Sequence, residues 1–169
     1  MLVHQYWTTN ICYARPVPVS RGQIPSPSRV RNRVTWLISL NYARSRGLLQ
    51  DGFASSGTGL RGYDYRLLAA LEELGPASQA DLGRSTGVDR GDVVRALDEL
   101  EHRKLIKRTV DRTNRRRNTV SITPAGRRQL AALDPVVDAV QEQVLAPLSD
   151  AERRQLHRLL RKLADDRAS

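Results

Sequence analysis

Cysteine is almost missing from this chain of 169 residues: Cys12 is the only one. One thiol excludes an intrachain disulfide and a zinc ribbon or cluster, and it is consistent with a reducing cytoplasm. Lysine is nearly as scarce. Lys104, Lys107 and Lys162 stand against 25 arginines. Arginine suits forked contacts to phosphates and base edges better than lysine does, although a GC-rich genome favouring arginine codons gives the same bias. No apolar run approaches the roughly 18 residues of a membrane span, so no membrane partner is expected. The histidines His4, His102 and His157 are isolated, and no phosphate-binding glycine loop or Ser/His/Asp set can be assembled. The chain is therefore expected not to be an enzyme, and to need no metal and no cofactor.

Acidic residues are absent from positions 1–50, which hold seven arginines and most of the excess positive charge. The whole chain carries a formal charge of +10 with a pI near 10.7, which favours a polyanionic partner, nucleic acid being the commonest. Pro16, Pro18, Pro25 and Pro27 lie among Ser, Gly and Arg. Residues 1–30 thus read as a basic, proline-rich arm, extended or flexible. An acid-free start resembles a transit peptide, but it lacks the apolar core of a secretory signal. A solvated arm, or a start codon placed too far upstream, accounts for it better than targeting does.

From Arg31 the pattern becomes helical. Val34, Leu37, Ile38, Tyr42 and Ala43 share one face of a helix expected over about 31–50, and Gly52 to Gly62 reads as a loop. A second helix, about 62–74, turns Leu67, Leu68, Leu71 and Leu74 inward. Ser78 N-caps a short helix ending near Thr86, Gly87 makes a turn, and Asp89 caps a helix over 90–103 with Val93, Val94, Leu97 and Leu100 inward. Two helices across a tight glycine turn form a helix-turn-helix. Strands follow at 106–110 and 119–122. Between them lies a hairpin tip with Arg112, Arg115, Arg116 and Arg117, which reads as a wing able to place arginine in the minor groove. Thr123-Pro124 opens another helix, in which Pro135 is expected to cause a kink or break near Asp134. A capping box at Ser149–Glu152 opens the last helix, with Leu156, Leu159, Leu160 and Leu163 on one side.

The fold class expected is mainly α with a small β-hairpin wing: a winged helix-turn-helix lobe over 62–123 and a helical dimerisation region. That region comprises a helix at 31–52 and the helices of 124–169, whose apolar stripes suit a second copy of the chain. The helix at 90–103 is expected in the major groove, which admits a helix and distinguishes all base pairs. Its outward residues are Arg90, Gly91, Asp92 and Arg95. Asp92 has three open roles: accepting from a cytosine amino group, orienting Arg95, or favouring the helix N-terminus. Ser78, Gln79, Arg84 and Thr86 are candidates for phosphate contacts. Asp98, Glu99 and Glu101 are expected to face away from DNA.

The stretch from about Tyr65 to Leu130 resembles the MarR family of bacterial regulators. The matching residues are Leu68-Ala69-Ala70-Leu71, Ser78-Gln79-Ala80-Asp81-Leu82, Val93-Val94-Arg95 with Leu97 and Leu100, and Leu105-Ile106 with Arg108. Most specific are Arg115-Arg116 and Val120-Ser121-Ile122-Thr123-Pro124-Ala125-Gly126-Arg127. The resemblance implies a cytoplasmic, nucleoid-associated transcription repressor, binding double-stranded DNA as a homodimer on an inverted repeat. It also implies a small aromatic effector, for which Trp36, Tyr42, Tyr65 and Arg66 are candidate pocket residues beside their plainer role in packing. Some relatives sense peroxide through a cysteine, but Cys12 precedes the proline-rich arm and reads better as an incidental thiol. Two departures stand out. Asn114 occupies the place of a family Asp, leaving Arg116 without a charged holder. Lys104 occupies the place of a Gly, which is expected to deny that turn a left-handed residue. Two other classes compete with a specific regulator: an architectural DNA-binding protein of low sequence preference, and a protein-interaction module that has kept the fold.

Overall fold

The structure, a computed structural model, describes residues 28–110 and 118–165. The chain forms two compact units, Met1–Gly47 and Leu48–Ser169. In the first, a single turn α1 (Ser28–Arg31) precedes α2 (Val34–Ser55), which runs on into the second unit. Val34, Trp36, Leu37, Ile38, Leu40 and Tyr42 are all exposed.

The second unit orders α3 (Gly62–Glu73), β1 (Ala77–Ser78), α4 (Gln79–Thr86), α5 (Arg90–His102), β2 (Ile106–Val110), β3 (Asn118–Ile122), α6 (Pro124–Leu145) and α7 (Asp150–Asp165). The expected fold class is the observed one. The caps foreseen from sequence carry the helix starts. Ser78 Oγ accepts from the Asp81 amide, Asp89 from Gly91, and Thr123 from Gly126. Each satisfies an amide that the first helical turn leaves without a partner. Gly87, at φ 63°, closes α4 in the left-handed conformation and makes the tight corner before α5.

The core gathers Leu67, Leu68 and Leu71 of α3, Leu82 of α4, Val93, Leu97 and Leu100 of α5, and Ile106, Val120 and Ile122 of the sheet. It does not stop at residue 123. Leu130 and Leu133 on the first half of α6 belong to it, as do Phe53 at the end of α2 and Leu60 in the loop that follows. β3 is the central strand, between β1 and β2, with Ala77 opposite Val120 and Ile106 opposite Ile122, both pairings antiparallel.

Five local expectations are corrected, the first being that Leu74 and Val94, expected inward, are exposed. The loop expected from Gly52 begins only after Ser55, because the helix continues to bury Phe53, whose ring lies 6.1 Å from that of Tyr65. Gly52 is a packing residue within that helix: a Cβ there would stand 3.2 Å from both Val136 and Val140. The expected break at Pro135 does not occur, and α6 runs unbroken through it. Proline removes one backbone hydrogen bond, at about 3 kcal/mol in a helix interior. Burial of Leu130, Leu133 and Val140 on both sides of it opposes that loss. Lys104 does adopt the left-handed conformation, at φ 59°. The Leu105 amide bonds to the Leu100 carbonyl and the Lys104 amide to that of Glu101, the paired bonds of a Schellman ending. Burial of Leu100 and Leu105 holds the lysine there in glycine's absence. Finally, β1 is a two-residue strand that the sequence did not signal.

Candidate nucleic-acid interface

The helix-turn-helix places the outward residues of α4 and α5 on defined turns. Arg90, first residue of α5, is exposed, as is Gly91. Arg95 is exposed one turn further on, and its guanidinium is paired with the Asp92 carboxylate. Of the three roles open for Asp92, the geometry displays the orienting one, on a residue that also lies in the acid-favouring first turn. Arg84 repeats the arrangement, paired with Asp81 three residues earlier. Both pairs are solvent-exposed, and such pairs contribute only about 0.2–1 kcal/mol. Pairs this weak bias the guanidinium groups without fixing them, and a phosphate or base edge can displace the acids at little cost.

Ser78 is more committed than its sequence position implies. Its hydroxyl accepts from the Asp81 amide and donates to the Asp81 carboxylate at 2.6 Å. Thr86 donates to the Leu82 carbonyl at 2.6 Å, and Gln79 is half-buried at the first position of α4. Asp81, partner of both Ser78 and Arg84, was not among the candidates. Its spacing of three from each was the signal.

The hairpin is described up to the pair Val110–Asn118. Arg112, Arg115, Arg116, Arg117 and Asn114 lie outside the described residues, as do residues 1–27 with Cys12. What is described is how the wing is rooted. Arg108 on β2 lies opposite the buried Val120, so its side chain shares the inward face of the sheet. It donates from its amide to Glu101 at 3.1 Å, and from its guanidinium to Glu101 and to Asp98, each at 2.7 Å. Burial works against its charge, but the two carboxylates prevail and hold its pKa above the ordinary arginine value. Two of the three acids expected to face away from DNA are thus occupied by an arginine of the wing strand.

The four candidate effector residues have separate surroundings. Tyr65 donates its phenol to Asp134 at 3.0 Å. Burial, then the hydrogen bond to Asp134 and its charge, push the phenol up to about 12. Arg66, next along α3, donates to the Thr86 carbonyl at 3.2 Å, bracing α3 against the end of α4. Trp36 and Tyr42 are exposed on the N-terminal unit. Among the described residues, no group of three or more His, Cys, Asp or Glu is placed to hold a metal. Among the same residues, no helix is long and apolar enough to cross a membrane.

Comparison with known proteins agrees with this geometry. The sequence profile of the MarR family matches residues 58–117. The HTH-type transcriptional repressor NicR of Pseudomonas putida is 29% identical over 151 residues, covering 89% of this chain and 94% of that protein. The crystal structure of a probable transcriptional regulator from Pseudomonas aeruginosa shares 33% identity at a TM-score of 0.69, over 78% of this chain and 97% of the other. Bordetella bronchiseptica BpsR, whose DNA binding is regulated by 6-hydroxynicotinic acid, superposes with a TM-score of 0.74 at 27% identity, over 83% and 99% of the two chains.

Proposed function

The chain belongs to the MarR family of transcription regulators, and on that premise we propose that it is a sequence-specific repressor that binds duplex DNA as a homodimer over an inverted repeat and responds to a small aromatic effector. The observation that carries the reading is the outward, N-terminal half of α5. There Arg90 and Arg95 stand exposed on the second helix of a helix-turn-helix, the element that enters a major groove. In this reading the two guanidinium groups read guanine edges, while Ser78, Gln79, Arg84 and Thr86 at α4 and Arg112, Arg115, Arg116 and Arg117 of the wing hold phosphates and the minor groove.

The exposed leucines of α7 and the apolar residues of α2 support a second copy as the partner that covers them. NicR is a repressor, and an aromatic acid regulates the DNA binding of BpsR. An aromatic acid is accordingly the effector class proposed here, with Arg66 the candidate cation for its carboxylate and Tyr65 a candidate for its ring. The role is binding and release, not catalysis, and its setting is the bacterial cytoplasm.

The test is a salt titration of binding to duplexes selected by the protein and to random duplexes. A specific regulator binds the selected duplex about a thousandfold or more tighter at physiological salt. Equal affinities that fall together with salt would assign the architectural role instead. No binding to either would leave a protein-interaction module.

A further inference from the structure

The helix expected to enter a polyanion is itself acidic. Over Arg90–His102 it carries Arg90 and Arg95 against Asp92, Asp98, Glu99 and Glu101. Asp92 is paired with Arg95 within the helix. Asp98, expected from the sequence to face away from DNA, follows Arg95 by three residues and so shares its face instead, and its side chain is 61% exposed. Bare, that carboxylate would stand one turn from the arginine that reads bases and would oppose the nearest phosphates. Its counter-charge comes from outside the helix. Arg108 occupies an inward position of β2, one-fifth exposed, and spans Asp98 and Glu101 with its two terminal guanidinium nitrogens, Nη2 and Nη1.

Resting on the reading of α5 as the groove-binding helix, we propose that Arg108 is a positioning residue that makes this helix competent for DNA: it neutralises Asp98 and Glu101, without touching DNA itself. An arginine is the side chain suited to this place, because its planar fork can serve two carboxylates at once from a half-buried position. The sequence carries the signature in Ile106 and Arg108, an apolar residue and a charge two positions apart and so on one face of the strand. An inward charge requires a partner.

The experiment measures affinity for the duplex that the wild-type chain selects from a random pool, using the full chain and checking each variant by thermal denaturation. Arg108→Gln should weaken binding by about tenfold or more, the scale of an uncompensated charge near phosphates at an intermediate effective dielectric. Adding Asp98→Asn and Glu101→Gln to it should restore affinity, because nothing is then left to neutralise. Arg108→Lys, which keeps the charge and loses the fork, should fall between the wild type and Arg108→Gln. The pair Asp98→Asn/Glu101→Gln alone should bind as well as the wild type or tighter, so the proposal remains testable even if Arg108→Gln does not fold. A triple variant as weak as Arg108→Gln would mean that Arg108 touches DNA, and a weakened Asp98/Glu101 pair that the carboxylates do; either overturns the proposal. Arg95→Gln serves as the reference: if it alters neither affinity nor preference, the placement of α5 fails and the proposal with it, whereas a weakened Arg95→Gln beside an unrescued triple variant overturns the Arg108 role alone.

Discussion

The Cα of Gly126 lies directly against the backbone of Leu105: a Cβ at residue 126 would overlap the Leu105 carbonyl oxygen and come within 2.8 Å of Ile122 Cγ1. The same carbonyl accepts from the Thr123 amide at 3.0 Å, and the Thr123 hydroxyl shares its one proton between the carbonyls of Lys104 and Leu105 while accepting from the Gly126 amide to cap α6. One short segment therefore joins the end of α5, the residue that follows β3 and the start of α6. Gly126→Ala should cost about 3 kcal/mol or more, since backbone cannot yield as a side-chain tip can. Denaturant unfolding measures it. A loss under about 1 kcal/mol, the scale of an ordinary substitution, would mean the segment is not so tightly joined.

Lys104 takes the opposite substitution. At φ 59° an L-residue bears roughly 1–2 kcal/mol that glycine does not. Lys104→Gly should therefore stabilise the fold by about 1 kcal/mol, while Lys104→Ala, which keeps a Cβ, should gain nothing. Equal gains in the two variants would trace the effect to the lost charge instead of the backbone.

These two positions mark where the sequence is legible and where it is not. Ser78, Asp89 and Thr123 are readable as caps because a cap is made by a side chain and an amide two or three residues away. Gly126 reads only as part of a motif, because its constraint comes from Leu105, on the far side of the hairpin. Arg108 likewise meets Asp98 and Glu101 only once the chain has turned from α5 into β2. Pro135 misleads because the local penalty of proline is visible in sequence and the burial around it is not. Among the candidate site residues, the exposed placing of Arg90 and Arg95 follows from helical periodicity alone.

Tyr65 gives a pH signature. Its phenol is held near 12 in the fold against 10.0 ordinarily, so the folded state keeps its proton when the unfolded chain has lost it. The stability this contributes is complete below pH 10 and is lost as pH rises from 10 toward 12. Tyr65→Phe should cost about 1 kcal/mol at neutral pH through the lost bond to Asp134, and should decline less steeply above pH 10. Denaturation midpoints for both proteins across that range measure the difference. Parallel curves would deny the Tyr65–Asp134 bond its role.

The exposed Leu159, Leu160 and Leu163 of α7 should be covered by a second copy. Obligate dimers commonly bury more than about 2,000 Å². Light scattering should return a dimer at micromolar concentration for the wild type, and a smaller or unfolded species for Leu160→Glu. A stable folded wild-type monomer would contradict the dimer.

The division of labour between α5 and the wing is tested most directly by selecting binding sites from a random duplex pool with the wild type, Arg95→Ala and Arg116→Ala. The wild type should select an inverted repeat with half-sites about 10 base pairs apart. Arg95→Ala should lose its preference at one symmetric pair of positions, a discrimination of about 1–3 kcal/mol. Arg116→Ala should keep the preference, bind all sequences more weakly, and show a salt dependence shallower by roughly 0.9 for each phosphate no longer neutralised. Loss of preference in the Arg116 variant, with none in the Arg95 variant, would contradict the assignment of base reading to α5.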